Sequence, residues 1–338
     1  MKQLTFSEAI DSALADVMSN DSRIFLIGED VHTLHVNLYA KFGKERVIRT
    51  PISESAFLGA GVTAAMAGLR PIVEIMLVDF MGVAIDQILN NAAKVFDFSG
   101  KKWNVPLVIK ASCGGGYGDG GQHEQSLWGW FAHIPGVSVV VPSNPADAGG
   151  LLLSALEMDH PVIYLEHKLL SEIWLDYMGS GGRTTVSYDV PRNSQKGEVP
   201  KKWSSLPIGK AKVLHEGNDV SLISLGVSVH RCLQAAELLI KEGISVEVLD
   251  LRWVSPLDEE LISKSVSKTN SLVVVDEDYK QFGLSGEICA ILAERDISFK
   301  FRRVCTEMTI PYNREFEDQI LPNVDKIIEA IHQITPKK

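Results

Sequence analysis

The sequence contains no apolar run of the ~18 residues that a membrane span requires, no basic run or stripe, and no C-x-x-C pair. Each absence excludes a class. Without a long apolar run there is no helical membrane anchor. Without a basic surface, and with a net charge of −10, nucleic acid is not an expected partner. The four cysteines, Cys113, Cys232, Cys289 and Cys305, are scattered, which suggests neither a disulfide framework nor a zinc or iron–sulfur site. The opening "MKQLTFSEAIDSALADVM" has no secretory h-region and is too acidic and too poor in Arg for a transit peptide. The expectation is a soluble, cytoplasmic protein.

The chain does have the makings of a globular pair of domains. It has 338 residues, 45% of them apolar and 22% charged. Thr5-Phe6-Ser7-Glu8 fits a capping box, opening a helix with Ala9, Ile10, Ala13, Leu14 and Val17 on one side. Up to about Thr185, short apolar runs alternate with helical stretches: "RIFLIG", "PIVEIML", "VPLVIKA", "VSVVVPS" and "PVIYLEH". Such alternation predicts a buried parallel sheet flanked by helices. Residues 186–206 are polar, hold two prolines and show no period, so they read as a linker. A second α/β pattern follows: "DVSLISLG", helix 228–242, "ISVEVLDL", helix 257–268, "SLVVVDE", helix 285–294, "FKFRRVCT" and a closing helix at 323–334.

Two glycine motifs need weighing. Gly59-Ala60-Gly61-Val62-Thr63-Ala64 reads G-x-G-x-x-A. A dinucleotide fingerprint sits between a strand and a helix, but the residues before Gly59 do not form a strand pattern. Ser53 instead reads as an N-cap, with Glu54 in the first turn where a carboxylate suits the helix dipole. The small residues then serve close packing. Glu54 on these grounds is either a surface carboxylate or something more specific. In the second motif, six of residues 114–121 are Gly, and they follow the strand-like "VPLVIKA". Such a loop brings backbone close to a ligand or demands positive φ. His123 follows it, as an exposed turn residue or an active one. Gly118-Asp119-Gly120 with Asn144 mimics the magnesium–diphosphate signature of thiamine enzymes, yet it lies inside the loop rather than directly after a strand.

Over nearly its full length the chain resembles a known family. The matching stretches include "IGEDV", "TPISESAFLGAGVTAAMAGLRPIVE", "AIDQILNNAAK", "GQHEQSLWGWFAHIPGVSVVVPSNPADAGGLL", "PIGKAKV", "SVEVLDLRWVSPLDEE", "TNSLVVVDE" and "PYN". They resemble the beta subunit of the thiamine-diphosphate-dependent first component of 2-oxo acid dehydrogenase complexes, a group that includes the pyruvate, branched-chain and acetoin dehydrogenases. The resemblance implies an α/β chain with a transketolase-type pyrimidine-binding domain over 1–185, the linker 186–206, and a transketolase C-terminal domain over 207–338. It implies that Glu54 contacts the aminopyrimidine of thiamine diphosphate, that Phe80 packs beside that ring, and that His123 orients substrate or transfers a proton. Glu29 and Asp86 match acidic residues lining the cofactor region. Some members hold a structural potassium ion through backbone oxygens at positions matching Leu107, Ala155, Leu156, Met158 and His160, the last two departing from the usual residues.

The resemblance further implies an alpha subunit that binds magnesium and the diphosphate, an alpha₂beta₂ heterotetramer, and a lipoyl acyltransferase core as a further partner. The reaction would be decarboxylation or C–C cleavage with acyl transfer to a lipoyl carrier. Two alternatives stay open: the C-terminal half of a split transketolase-like or carboligating enzyme, and a non-catalytic partner of an alpha-like subunit. Three departures bear on substrate and docking. The segment between Val31 and Phe42 is shorter than the family norm, Val83 replaces a polar residue, and the linker is longer and more basic.

Overall fold

The computed structural model describes residues 2–180, 188–191 and 193–335. Every apolar run named above becomes a strand or the core of one. In chain order these are β1 (Lys2–Thr5), β2 (Ile24–Gly28), β3 (Val47–Arg49), β4 (Arg70–Leu77), β5 (Val108–Cys113), β6 (Ser138–Val140), β7 (Val162–His167), β8 (Lys196–Val199), β9 (Lys212–His215), β10 (Val220–Ser224), β11 (Val246–Asp250), β12 (Trp253–Ser255), β13 (Ser271–Tyr279) and β14 (Lys300–Thr306).

Seven strands form a sheet in the order β12-β6-β7-β5-β4-β2-β3, and five form a second in the order β14-β13-β10-β11-β9. Both are parallel except at one edge, where β12 and β9 run antiparallel to their neighbours. β12 belongs to the second half of the chain yet completes the first sheet, with Trp253 opposite Val140. One apolar cluster accordingly runs across both halves, joining Ile75, Trp128 and Val139 to Leu249, Val254 and Ile288.

The first helix, Phe6–Asn20, begins with the expected capping box: the Thr5 hydroxyl accepts from the Glu8 N–H while the Glu8 carboxylate accepts from the Thr5 N–H. It buries Phe6, Ala9, Ile10, Ala13, Leu14 and Met18, so Met18 takes the inward place assigned to the half-buried Val17. The helix Glu54–Met66 starts where the sequence places it. Ser53 occupies the N-cap position, but its exposed hydroxyl makes no capping bond. Its backbone carbonyl instead accepts from Ala56 and Phe57. The glycines of this helix serve packing. A Cβ on Gly61 would lie 2.3 Å from Val73 Cγ2 on β4, and one on Gly59 3.1 Å from Gln87 Oε1.

The segment 186–206 is more than a tether. Residues 186, 187 and 192 lie outside the described residues, but β8 within it pairs antiparallel with β1, Lys2 opposite Val199. The Trp203 indole donates to Ser12 Oγ at 3.0 Å, and its ring fills the space a side chain at Gly149 would need. A four-residue strand with mostly solvent-facing side chains leaves no apolar period to read.

Beneath the first helix the sheet carries buried charge. Glu74 on β4 stands opposite Lys110 on β5 in the ladder. Lys110 Nζ lies 2.9 Å from both Glu74 and Glu166 on β7. His35 closes the chain of charges, its Nε2 2.8 Å from Glu74 and its Nδ1 2.5 Å from Asp11. Isolated ions would not survive burial; these are stabilised only by one another. His35 sits between two short helices, Val31–Leu34 and Val36–Phe42, so the network ties down the segment flagged above as short.

The network makes stability depend on pH from both sides. Burial disfavours the imidazolium of His35, but Glu74 and Asp11 outweigh it and push its pKa up to about 10. Burial likewise raises Glu74, but Lys110 and His35 hold it down to about 2. The His35 contribution is complete below the unfolded value of 6.5 and is lost as pH rises through about 10. The Glu74 contribution is complete above 4.5 and is lost as pH falls through about 2. Taken alone, these two groups hold urea midpoints level between those unfolded values, while buried acids with raised pKa, Asp250 and Glu317 among them, add a decline as pH rises. His35→Gln should flatten the alkaline limb; an unchanged limb would show that His35 does not carry it.

Candidate functional site

In an open parallel sheet, ligands gather at the carboxyl ends of the strands. Here neighbouring strands β3, β2, β4 and β5 each deliver a candidate residue to that end. Glu54 opens the helix that follows β3, Glu29 directly follows β2, Phe80 lies in the 3-10 turn Val78–Gly82 after β4, and His123 lies on the loop after β5. The sequence separates these residues widely; the sheet order puts them on one rim.

The two carboxyls sense each other. Burial pushes the Glu29 pKa up, and the Glu54 charge pushes it further. Glu29 is nearly buried, whereas Glu54 is half-buried at the start of its helix. On the other side, the Phe80 and His123 rings meet edge to face, 5.7 Å between centroids at 83°. His123 is therefore packed rather than a free turn residue. Its Nδ1 is buried and has no hydrogen-bond partner within the chain, a condition it shares with atoms elsewhere such as His32 Nδ1 and Trp253 Nε1. Asp79, next to Phe80, repeats the pattern: Oδ1 accepts from Gln125 Nε2 at 2.7 Å, while Oδ2 is buried without a partner.

The backbone around His123 is fixed from below. Its carbonyl accepts from the Tyr117 hydroxyl at 2.6 Å and from the ammonium of Lys168. That ammonium also stands 4.9 Å from the centre of the Tyr117 ring, and burial lowers its pKa. Asp86 does not join this group. It is exposed and accepts from Asn90 at 2.7 Å on its own helical turn.

The Gly118-Asp119-Gly120 motif does not meet Asn144. That Asn caps the helix Pro145–Glu157, its Oδ1 accepting from the Asp147 N–H at 3.0 Å. Four of the five backbone oxygens matching the potassium site accept hydrogen bonds within the chain. Arg70 donates to the carbonyls of Leu156 and Met158 at 2.7 and 3.1 Å, Val162 donates to Leu107 at 2.9 Å, and Met158 to Ala155 at 3.3 Å. His160 lies 2.9 Å from the Ser138 hydroxyl.

Sequence reasoning passed over Asp79, Glu124 and Lys168. A signal existed for the last: "VIYLEHKLL" puts three ionisable residues in an otherwise apolar run, and such residues are buried only when partnered.

With this geometry in place, comparison with known proteins is informative. Residues 2–172 match the transketolase pyrimidine-binding domain, and residues 209–327 the transketolase C-terminal domain. The acetoin:2,6-dichlorophenolindophenol oxidoreductase subunit beta of Bacillus subtilis (strain 168) is 39% identical, over 97% of this chain and 96% of its own length. The 2-oxoisovalerate dehydrogenase subunit beta of the same organism is 38% identical over 99% of each. The mitochondrial pyruvate dehydrogenase E1 component subunit beta of Rattus norvegicus is 39% identical over 97% and 90%. A solved split gene transketolase, an inactive beta4 tetramer, shares the fold with a TM-score of 0.76 at 20% identity, covering 99% of each chain. The chain belongs to the transketolase-type family of beta subunits of the first component of 2-oxo acid and acetoin dehydrogenases.

The carboxyl pair makes a prediction that needs no ligand. Glu54→Gln removes a charge from beside Glu29, so the Glu29 titration should move down toward the ordinary range. It should not reach it, because burial, the larger cause, remains. Carbon-13 NMR of the Glu29 carboxyl in the full chain reads this directly; an unmoved titration would mean the two do not interact.

Proposed function

We propose that this chain is the beta subunit of a thiamine-diphosphate-dependent 2-oxo acid or acetoin dehydrogenase, which cleaves a C–C bond or decarboxylates its substrate and passes the acyl group to a lipoyl carrier. One observation carries the reading: a carboxyl pair, Glu29 and Glu54, shares a strand-end rim with a packed aromatic and with an imidazole whose Nδ1 is buried and unpartnered. Beta-subunit relatives at 38–39% identity over nearly the whole chain support the dehydrogenase over a split transketolase, whose solved example shares 20%.

Thiamine diphosphate, when bound, supplies a carbon nucleophile once its thiazolium carbon has lost a proton. The residues present fit such a group, since Glu54 offers an acceptor to a ring nitrogen and the Phe80 ring offers an apolar wall. Glu29, whose pKa is raised by burial and by the Glu54 charge, is the second carboxyl of the pair. His123 Nδ1 is free to hold or move a proton at the substrate. Asp79 Oδ2 is a second acceptor beside Phe80. Asp86 is left out of the proposed set because it is exposed and tied to Asn90.

The proposal includes an alpha subunit in an alpha₂beta₂ assembly, holding magnesium and the diphosphate, and an acyltransferase core that receives the product. The relatives' names as beta subunits support the first. So does Asn144, which this chain uses as a helix cap. Calorimetry is expected to show weaker than about micromolar binding of cofactor and magnesium to the chain alone, tightening when the alpha subunit is added.

Two substitutions test the roles in the assembled enzyme. Glu54→Gln keeps size and helix position but removes the acceptor charge. Proton–deuteron exchange at the thiazolium carbon should slow by orders of magnitude, with stability changed by no more than ~1 kcal/mol. Exchange at the wild-type rate would reduce Glu54 to a helix-end carboxylate. His123→Ala should leave cofactor binding intact and lower kcat by roughly 10²–10⁴-fold on the substrate found by screening 2-oxo acids and acetoin. Full activity in that variant would remove His123 from the mechanism.

A further inference from the structure

The glycine loop that carries His123 has an unusual backbone. Gly114, Gly116, Gly118 and Gly120 have φ of 94°, 112°, 82° and 71°, so positive φ recurs at every second residue. Such alternation turns successive N–H groups into concavities that bind anions. In this chain the anions are its own carboxyls. Glu124 accepts from Tyr117 N–H at 3.1 Å through Oε1 and from Gly120 N–H at 3.0 Å through Oε2. Glu317, on the helix Arg314–Ile320 of the C-terminal half, accepts from Gly118 N–H at 2.8 Å.

Both carboxyls are fully buried, and they grip the same four residues from opposite halves of the chain. Two ionised carboxylates placed so would repel at low dielectric. The nearby cations do not resolve this. Arg314 Nη1 stands 3.6 Å from Glu317 Oε2, and Lys168 donates to the His123 carbonyl rather than to either acid. Glu317 Oε2 is left buried without a hydrogen-bond partner. A proton there, donated toward Glu124, satisfies that oxygen and removes the repulsion.

We propose that Glu124 and Glu317 are positioning residues for His123, sharing one proton and together clamping the glycine loop that holds the imidazole against Phe80. The clamp stands on the loop geometry alone; its consequence for turnover rests on the function proposed above. The proton belongs to the folded chain. Burial, then the Glu124 carboxyl, push Glu317 up from 4.5 to about 10. The proton's contribution to the clamp is complete below the unfolded value of 4.5, shrinks as pH rises above it and is lost as pH rises through about 10. Other charged and titratable groups face the pair: Arg314 from the same helix, Asp119 and Tyr117 from the loop, Lys168 from the turn after β7, and Asp79 from the turn after β4. Of these, Lys168 is held below the ordinary lysine range by burial and loses its proton in the same direction of pH.

Glu317→Gln separates the two. An amide at this position accepts from Gly118 and donates to Glu124 at every pH, while Lys168 is untouched. The test is amide hydrogen exchange over 114–126 in the full chain, normalised to intrinsic rates, from neutral pH to above the Glu317 value, alongside the pH profile of kcat in the assembled enzyme. Wild type should lose protection by roughly tenfold or more across the alkaline range, with kcat falling and KM little changed. Glu317→Gln should hold protection and kcat flat. Glu317→Ala should be unprotected at all pH; if it fails to fold, the isosteric Gln variant carries the test. An alkaline loss in Glu317→Gln matching wild type would assign the transition to Lys168 and overturn the shared proton. Wild-type protection in Glu317→Ala would overturn the clamp whatever the activity does. The expected exchange pattern with kcat indifferent to it would overturn the positioning of His123 by the clamp, while leaving the clamp and the proposed function in place.

Discussion

The carboxylate of Glu277, near the end of β13, is the point on which the two halves of this protein depend. It accepts from His167 Nε2 at 2.8 Å, Arg231 Nη1 at 2.9 Å, Gly115 N–H at 2.9 Å and Ser126 Oγ at 3.3 Å. His167 Nδ1 accepts from Leu169 N–H, which leaves the ring proton on Nε2, where Glu277 needs it. Burial opposes ionisation here, but His167 and Arg231 outweigh it and hold the carboxyl down to about 2. The partners come from the end of β7, from the loop after β5 and from the helix Ser228–Leu239. The rim of the first sheet therefore has its shape only when the second sheet is docked against it. Gly115 shows how tight that docking is, since a Cβ there would lie 2.7 Å from Leu321 Cδ1 of the C-terminal half.

Two groups of ionisable residues in this chain differ in partnership. Glu74, Lys110 and Glu166 lie within strands and are matched one against another, as are Asp147 and Arg252 at 2.8 Å where β12 joins the first sheet. Such groups fix strand register and docking, because any other pairing would leave an ion alone at a cost of several kcal/mol. Glu29 and Asp79 lie past the strand ends instead. Glu29 has a neighbouring acid rather than a base, and Asp79 has one oxygen unanswered. Other buried atoms also lack a partner, Trp253 Nε1 and Asp276 Oδ2 among them, so it is the shared strand-end rim that marks Glu29 and Asp79 as candidates for chemistry.

Much of the architecture was legible from the sequence because strand and helix periods are local. The capping box at Thr5, the helix starting at Glu54 and the runs that became β2, β4, β5 and β7 all follow from residues close in sequence. What stayed hidden was set by distant pairing. Residues 196–199 become a strand only because Lys2–Thr5 lies beside them. Ser53 looks like a cap, yet its hydroxyl is unused and its carbonyl does the work. The candidate site divides the same way. Glu54, Phe80, His123 and Glu29 were named from resemblance, and their common rim follows from strand order, which composition cannot supply. Asp86 matches the family in sequence but faces solvent. Glu317, 199 residues from the Gly118 it holds, carries no local mark of its role.

The glycine loop shows why motif and function part company here. Read as a string, 114–121 with its embedded G-D-G suggests a cradle for phosphate and metal. Its N–H groups at Gly115, Tyr117, Gly118 and Gly120 do point at acids, but those acids are the chain's own Glu277, Glu124 and Glu317. A concavity already filled by buried carboxyls has neither room nor favourable field for a diphosphate, since like charges would meet at low dielectric. The loop instead turns its conformational freedom to holding one imidazole against Phe80. A chain that devotes this anion-friendly backbone to internal acids supports the proposal above that a second kind of subunit holds the phosphate end of the cofactor.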